Sequence, residues 1–136
     1  MKSDALMRDY LQRCAHRLAA VQTLYERSSW ADVVRESQEV VELALKALAR
    51  SARIEVPRLH DVGRIIEAKR DRMPASLRPH IPRLAEVSRQ LRRDRELAFY
   101  GSEDLTPSEF YRESDAKRAF DQAQWVVRVV TDALKR

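Results

Sequence analysis

An all-α fold, an up-and-down bundle of four to five helices, is what this sequence predicts, on three observations. Only Gly63 and Gly101 are glycines, while Ala, Leu, Val, Arg and Glu, which dominate, surrender little backbone or rotamer freedom in a helix. Apolar residues recur at three- and four-residue steps through several long segments, the spacing of one helical face. Hydrophobic residues make up 44% of the chain and charged ones 35%, enough to seal a core and to solvate its surroundings, which excludes global disorder. A chain of this length buries roughly 68% of its unfolded surface, so residues 1–136 are read as one domain, without repeat or linker.

The first helix is predicted from about Ser3 to Arg27, with Leu6, Tyr10, Cys14, Leu18, Val21 and Leu24 or Tyr25 on one face. Ser28 and Ser29 break that pattern. Ser29 followed by Asp32 has the form of a capping box, so a second helix is expected to start near Trp30. Its stripe of Trp30, Val33, Val34, Ser37, Val40, Val41, Ala44, Leu45 and Leu48 is the cleanest in the chain, which makes it the expected central helix. A shorter third helix carries Leu59, Val62, Ile65 and Ile66 and runs to about Arg72, before Pro74 and Pro79 interrupt it.

The fourth helix is predicted from about Ile81 to Phe99. Pro82 is tolerated in its first turn, where the missing N–H would be unpaired anyway. Its stripe is Ile81, Leu84, Val87 or Ser88, Leu91, Arg95 and Ala98. From Gly101 to Ser114 a loop is expected with one short turn, in which Thr106, Pro107 and Glu109 have capping-box form. Ser114 is then expected to cap a last helix, with Ala116, Ala119, Phe120, Ala123, Val126, Val127, Val130 and Leu134 on one side and its small residues allowing close approach.

Several function classes are excluded by what the sequence lacks. His16 and His80 have no ligand spacing, and there is no HExxH or CxxC, so neither a metal nor a cofactor is expected. Two isolated glycines build neither a phosphate loop nor a nucleophile elbow. The apolar runs are far shorter than the roughly 20 residues that cross a bilayer. Cys14 is the single cysteine, and the N-terminus lacks the pattern of a signal peptide, so a reducing cytoplasm is the expected location. A net charge of +5 and a pI near 9.7 are compatible with a polyanionic partner without requiring one.

One charged residue stands out. Arg95 lies in line with an apolar stripe, where burial is costly unless an anion or a second chain receives the guanidinium. It opens the run Arg95-Glu96-Leu97-Ala98-Phe99-Tyr100-Gly101. Taken with Trp30-Ala31-Asp32, the segment from Glu39 to Leu48 (EVVELALKAL) and His60-Asp61-Val62-Gly63, this succession resembles the HEPN domain family over nearly the whole chain.

The resemblance implies a helical bundle, commonly a homodimer and often encoded beside a minimal nucleotidyltransferase, in some cases as the toxin of a toxin-antitoxin pair. Catalytic members are metal-independent ribonucleases marked by an arginine, four to six residues and a histidine, often with a tyrosine two positions later. This sequence departs from that pattern. With Tyr100 at the family tyrosine, Arg93 takes the arginine position and Ala98 the histidine position; from Arg95 no histidine follows either. A methyl group neither accepts the 2′-hydroxyl proton nor protonates a leaving oxygen.

The expected function is therefore non-catalytic: a homodimer that binds nucleotide or RNA, or partners a nucleotidyltransferase. Arg95 comes first among the candidate cleft residues, then Arg92, with Arg93, Glu96, Tyr100, His60 and Asp61 beside them. Arginine holds phosphate through paired hydrogen bonds even where catalysis is lost. Arg93 sits about 100 degrees round the helix from Arg92, so the three arginines do not share one small ligand. Two alternatives remain open: a ribonuclease toxin that has reassigned proton transfer to Tyr100, His60 or a carboxylate, and a helical dimerisation module without ligand.

Overall fold

Helices form where the apolar steps place them: α1 over Lys2–Glu26, α2 over Trp30–Ser51, α3 over Val62–Ala68, α4 over Ile81–Tyr100, α5 over Pro107–Phe110 and α6 over Glu113–Leu134. The structure, a computed structural model, describes residues 2–56, 61–100 and 106–135, with the side chains of residues 2–3 and 94–100 outside that description. Two 3-10 turns, Arg70–Arg72 and Arg78–His80, carry the chain from α3 to α4. Among the described residues there is no strand.

α2 is the axis of the bundle. Val33, Val40, Ala44, Leu45, Ala47 and Leu48 are wholly removed from solvent, and Ser37 and Gln38 are buried with them. A helix buried around so much of its circumference needs neighbours on several sides, and α1, α4 and α6 all pack on α2. Each fully buried leucine contributes about 1.5–3 kcal/mol to folding, which makes this ring the main source of stability. α1 and α2 form an antiparallel hairpin: Tyr25 meets Trp30 near the turn, while further along the Cys14 thiol reaches the Val40 carbonyl.

α6 joins this hairpin through Ala116 and Phe120, which pack with Val21 and Val33. The Tyr25 hydroxyl donates to Glu113 at 2.9 Å, tying the end of α1 to the start of α6. That acceptor raises the Tyr25 pKa above the usual tyrosine value, since the neutral hydroxyl is the hydrogen-bonding form. α4 runs antiparallel to α6: His80 and Arg83 lie by Trp125, and Gln90 by Gln122.

Helix ends account for the departures from the sequence reading. Ser29 makes no side-chain hydrogen bond to the backbone, because its φ of −87° and ψ of 70° lie off the extended conformation that aims a cap at the helix amides. Its hydroxyl instead donates to Asp32 at 2.7 Å. Ser114 is not the cap of the last helix either. The cap position falls two residues earlier, at Arg112, and Asp115 accepts the Arg112 backbone N–H at 2.9 Å, an acidic first turn that also suits the helix dipole. The expected third helix is shortened to seven residues, its Arg72 end becoming a 3-10 turn; Leu59 lies outside the described residues.

α1 and α2 both stop at a non-glycine residue in the left-handed region, Ser28 and Arg53, each with φ of 59°. Ser29 N–H then reaches back to the Leu24 carbonyl at 3.0 Å, and Ile54 N–H to that of Ala49 at 2.9 Å, the six-to-one bond of a Schellman motif. The capping box at Thr106 forms as the sequence predicts, with Thr106 accepting from the Glu109 N–H and Glu109 accepting from the Thr106 N–H.

Candidate functional site

α4 and α6 rest on α2 while touching each other only lightly. The groove left between them has Val34 of α2 at its base and Leu91 and Ala119 on its two walls. The end of α5 and the residue after it close one end with Phe110 and Tyr111, stacked edge to face at 5.0 Å. The resulting cleft measures about 330 Å³, the lower end of the range of small-molecule sites.

Its rim is polar. Arg93 enters from α4, and Arg118 and Asp115 enter from α6. Gln90 and Gln122 reach across from opposite walls and meet at 3.4 Å. Phe110 is 43% exposed, the one large apolar side chain so presented among the described residues, whereas the neighbouring Tyr111 is buried. Fixed guanidinium groups bind phosphate, an aromatic face stacks on a base, and amide side chains read base edges through paired donors and acceptors.

The sequence candidates separate on the structure. Arg92 turns toward α2, where its guanidinium donates to Glu42 at 2.9 Å, while Arg93, one residue on, lines the cleft. Asp61 caps α3, accepting the N–H groups of Gly63 at 3.0 Å and Arg64 at 3.4 Å. Gly63 lets α3 lie close on α4, since a Cβ there would stand 3.1 Å from the Ser88 Cβ. Backbone of α4 continues through Arg95, Glu96 and Tyr100, but their side chains, like the whole of His60, lie outside the described residues.

Phe110, Arg118, Gln90 and Gln122 belong to the cleft without having been singled out from sequence. Only Phe110 had a legible signal, as an aromatic placed directly after the Thr106 capping box. The two glutamines meet through tertiary packing, which no local spacing reveals.

Acid-base chemistry has little material here. Among the described lining residues the one carboxylate, Asp115, is engaged by the Arg112 N–H and by Arg118 at 3.4 Å. The Cys14 thiol, remote from the cleft, is pushed up to about 12 chiefly by burial, which removes it as a nucleophile. No group of three or more metal-ligating side chains is found among the described residues, and no described helix is long and apolar enough to cross a membrane.

Set against known proteins, the chain matches the family model of the HEPN domain over residues 7–133. No curated protein and no solved structure gives a match. At the level of the family, that match carries a nucleotide- or RNA-related role. Spanning α1 to the last turn of α6, it means that this chain belongs to the HEPN domain family.

Proposed function

We propose that this chain is a non-catalytic HEPN protein that holds a nucleotide or RNA in the α4–α6 groove and acts as a homodimer partnering a minimal nucleotidyltransferase. The observation that carries the binding reading is the convergence of Arg93, Arg118 and the exposed Phe110 on one cleft. A phosphate takes the guanidinium groups of Arg93 and Arg118, the base lies on Phe110, and the amides of Gln90 and Gln122 exchange their weak mutual contact for the base edge. Loss of catalysis rests on the absence of a histidine after Arg93 or Arg95 in this stretch; with Tyr100 at the family tyrosine, Ala98 takes the histidine position.

Binding is tested by calorimetric titration of the chain with mononucleotides at low salt, alongside incubation with cellular RNA in chelator. The expected result is salt-sensitive binding, abolished in Arg93→Ala, with the RNA intact. Metal-free cleavage lost in an Arg95→Ala variant would replace this reading with that of a ribonuclease using a reassigned proton donor. A normal dimer that binds no nucleotide at low salt would leave only the helical dimerisation module. The partnership predicts that a minimal nucleotidyltransferase is encoded in the neighbouring gene and co-purifies with this chain; a neighbouring gene of another kind, or no co-purification, overturns it.

A further inference from the structure

The cleft does not end at the Gln90–Gln122 contact. Arg118 and Gln122 also line a second hollow of about 460 Å³, walled by Arg83 of α4 and by Lys117 and Asp121 of α6. Beside it the Arg83 guanidinium lies over the Trp125 ring, 4.1 Å from its centroid. His80 meets the same indole edge-on at 5.9 Å. The groove therefore has two stations with the same parts, a guanidinium and an aromatic ring, on either side of an amide bridge.

We propose that these two stations form one track for single-stranded nucleic acid, with Arg83 and Trp125 as a second phosphate-and-base platform. This rests on the reading of the first cleft as a nucleotide site. Ten residues of α4 separate Arg83 from Arg93, a rise of about 15 Å, too long for the single phosphate of a mononucleotide to touch both. Of the carboxylates lining the two hollows, Asp115 is held by Arg118 and Asp121 by Lys117 at 3.1 Å. The positive field of the groove then rests on Arg83 and Arg93 at its two ends, with Arg118, shared with Asp115, between them, a spacing that suits a chain of phosphates.

Trp125 makes the platform selective for bases as well as charge. Held on the indole, the guanidinium of Arg83 is ordered before a ligand arrives, so less freedom is lost on binding. Its outer plane remains available to a base, which stacks on guanidinium as readily as on an aromatic ring. A merely acidic chain would find the charges and gain nothing from the planes.

Fluorescence anisotropy of a labelled uridine octanucleotide, with calorimetry of uridine monophosphate, tests the track. Arg83→Ala should weaken the octanucleotide about tenfold and reduce the slope of log affinity against log salt by about 0.7, with monophosphate binding unchanged. Arg93→Ala should weaken both ligands, and an abasic octamer of equal charge should bind less tightly than the uridine octamer. Arg83→Lys, which keeps the charge and loses the plane, should fall between wild type and Arg83→Ala; circular dichroism of each variant establishes that the bundle is intact. Octanucleotide binding unaltered in folded Arg83→Ala overturns the second platform alone, whereas failure of the wild type to bind either ligand overturns the first cleft and the track together.

Discussion

Arginines on the α2 side of the bundle and arginines in the α4–α6 groove are placed in opposite ways. On the α2 side, Arg17 of α1 reaches Glu36 at 3.5 Å and Arg92 of α4 reaches Glu42 at 2.9 Å; carboxylates of the central helix answer the cations that surround it. In the groove, Arg93 lines a hollow and Arg83 lies on an indole. Half-exposed ion pairs such as that of Arg92 are worth no more than about 1 kcal/mol, so the first arrangement settles charge without adding much stability. In the second, the cation is presented to whatever enters. One residue of helix, a turn of about 100 degrees, separates the two regimes at Arg92 and Arg93.

The contrast between a sealed axis and an open groove can be broken in several ways. The largest effect concerns Cys14, which packs against Val40 of α2. With its pKa raised from 9.0 to about 12, the folded thiol should react with a disulfide reagent at pH 8 about a thousandfold more slowly than in the unfolded chain. A group whose folded pKa is raised stabilises the fold below its unfolded value, so this contribution holds up to about pH 9 and is lost as the pH rises toward 12. Rapid labelling of the native protein would show that the α1–α2 seam opens.

Leu45→Ala comes next. Its side chain has no exposure, and its truncation should cost about 3 kcal/mol in urea denaturation; a loss below about 1 kcal/mol would mean that α2 is not the axis. Gln38 is the exception within that axis, 1% exposed, with both amide atoms lacking a partner among the described residues. Gln38→Met should therefore stabilise the protein by about 1–2 kcal/mol, and a loss instead would reveal a hydrogen bond made by the amide.

Smaller effects belong to the surface. Ser28→Gly removes the left-handed strain at the end of α1 and should raise stability by about 0.5–1 kcal/mol, read from the same denaturation curves. Phe110→Ala should move stability by less than about 0.5 kcal/mol while weakening nucleotide about tenfold by calorimetry. Equal losses in both would make Phe110 part of the core and not of the groove.

Long apolar stripes are written into the sequence in a form that helix geometry reproduces, which is why α1, α2, α4 and α6 stand where their three- and four-residue steps put them. Helix ends were less legible. With two glycines in the chain, α1 and α2 end on Ser28 and Arg53 in a conformation normally signalled by glycine. Ser29 and Ser114 have capping chemistry but not the backbone position to use it. At the candidate site, Arg92 and Arg93 look alike in sequence. Their fates depend on Glu42, fifty positions away, and on an α6 wall whose residues come later still. Arg95, the residue first in line by its place in the stripe, lies outside the described side chains.

Calorimetric titration of nucleotide into Arg92→Ala and Arg93→Ala, side by side with the wild type, goes most directly to the central point. Arg93→Ala should bind about tenfold or more weakly, and Arg92→Ala should stay within about twofold of wild type, because its guanidinium serves Glu42. Equal affinities for the two variants, or a larger loss in Arg92→Ala, would contradict the placement of the anion in the α4–α6 groove.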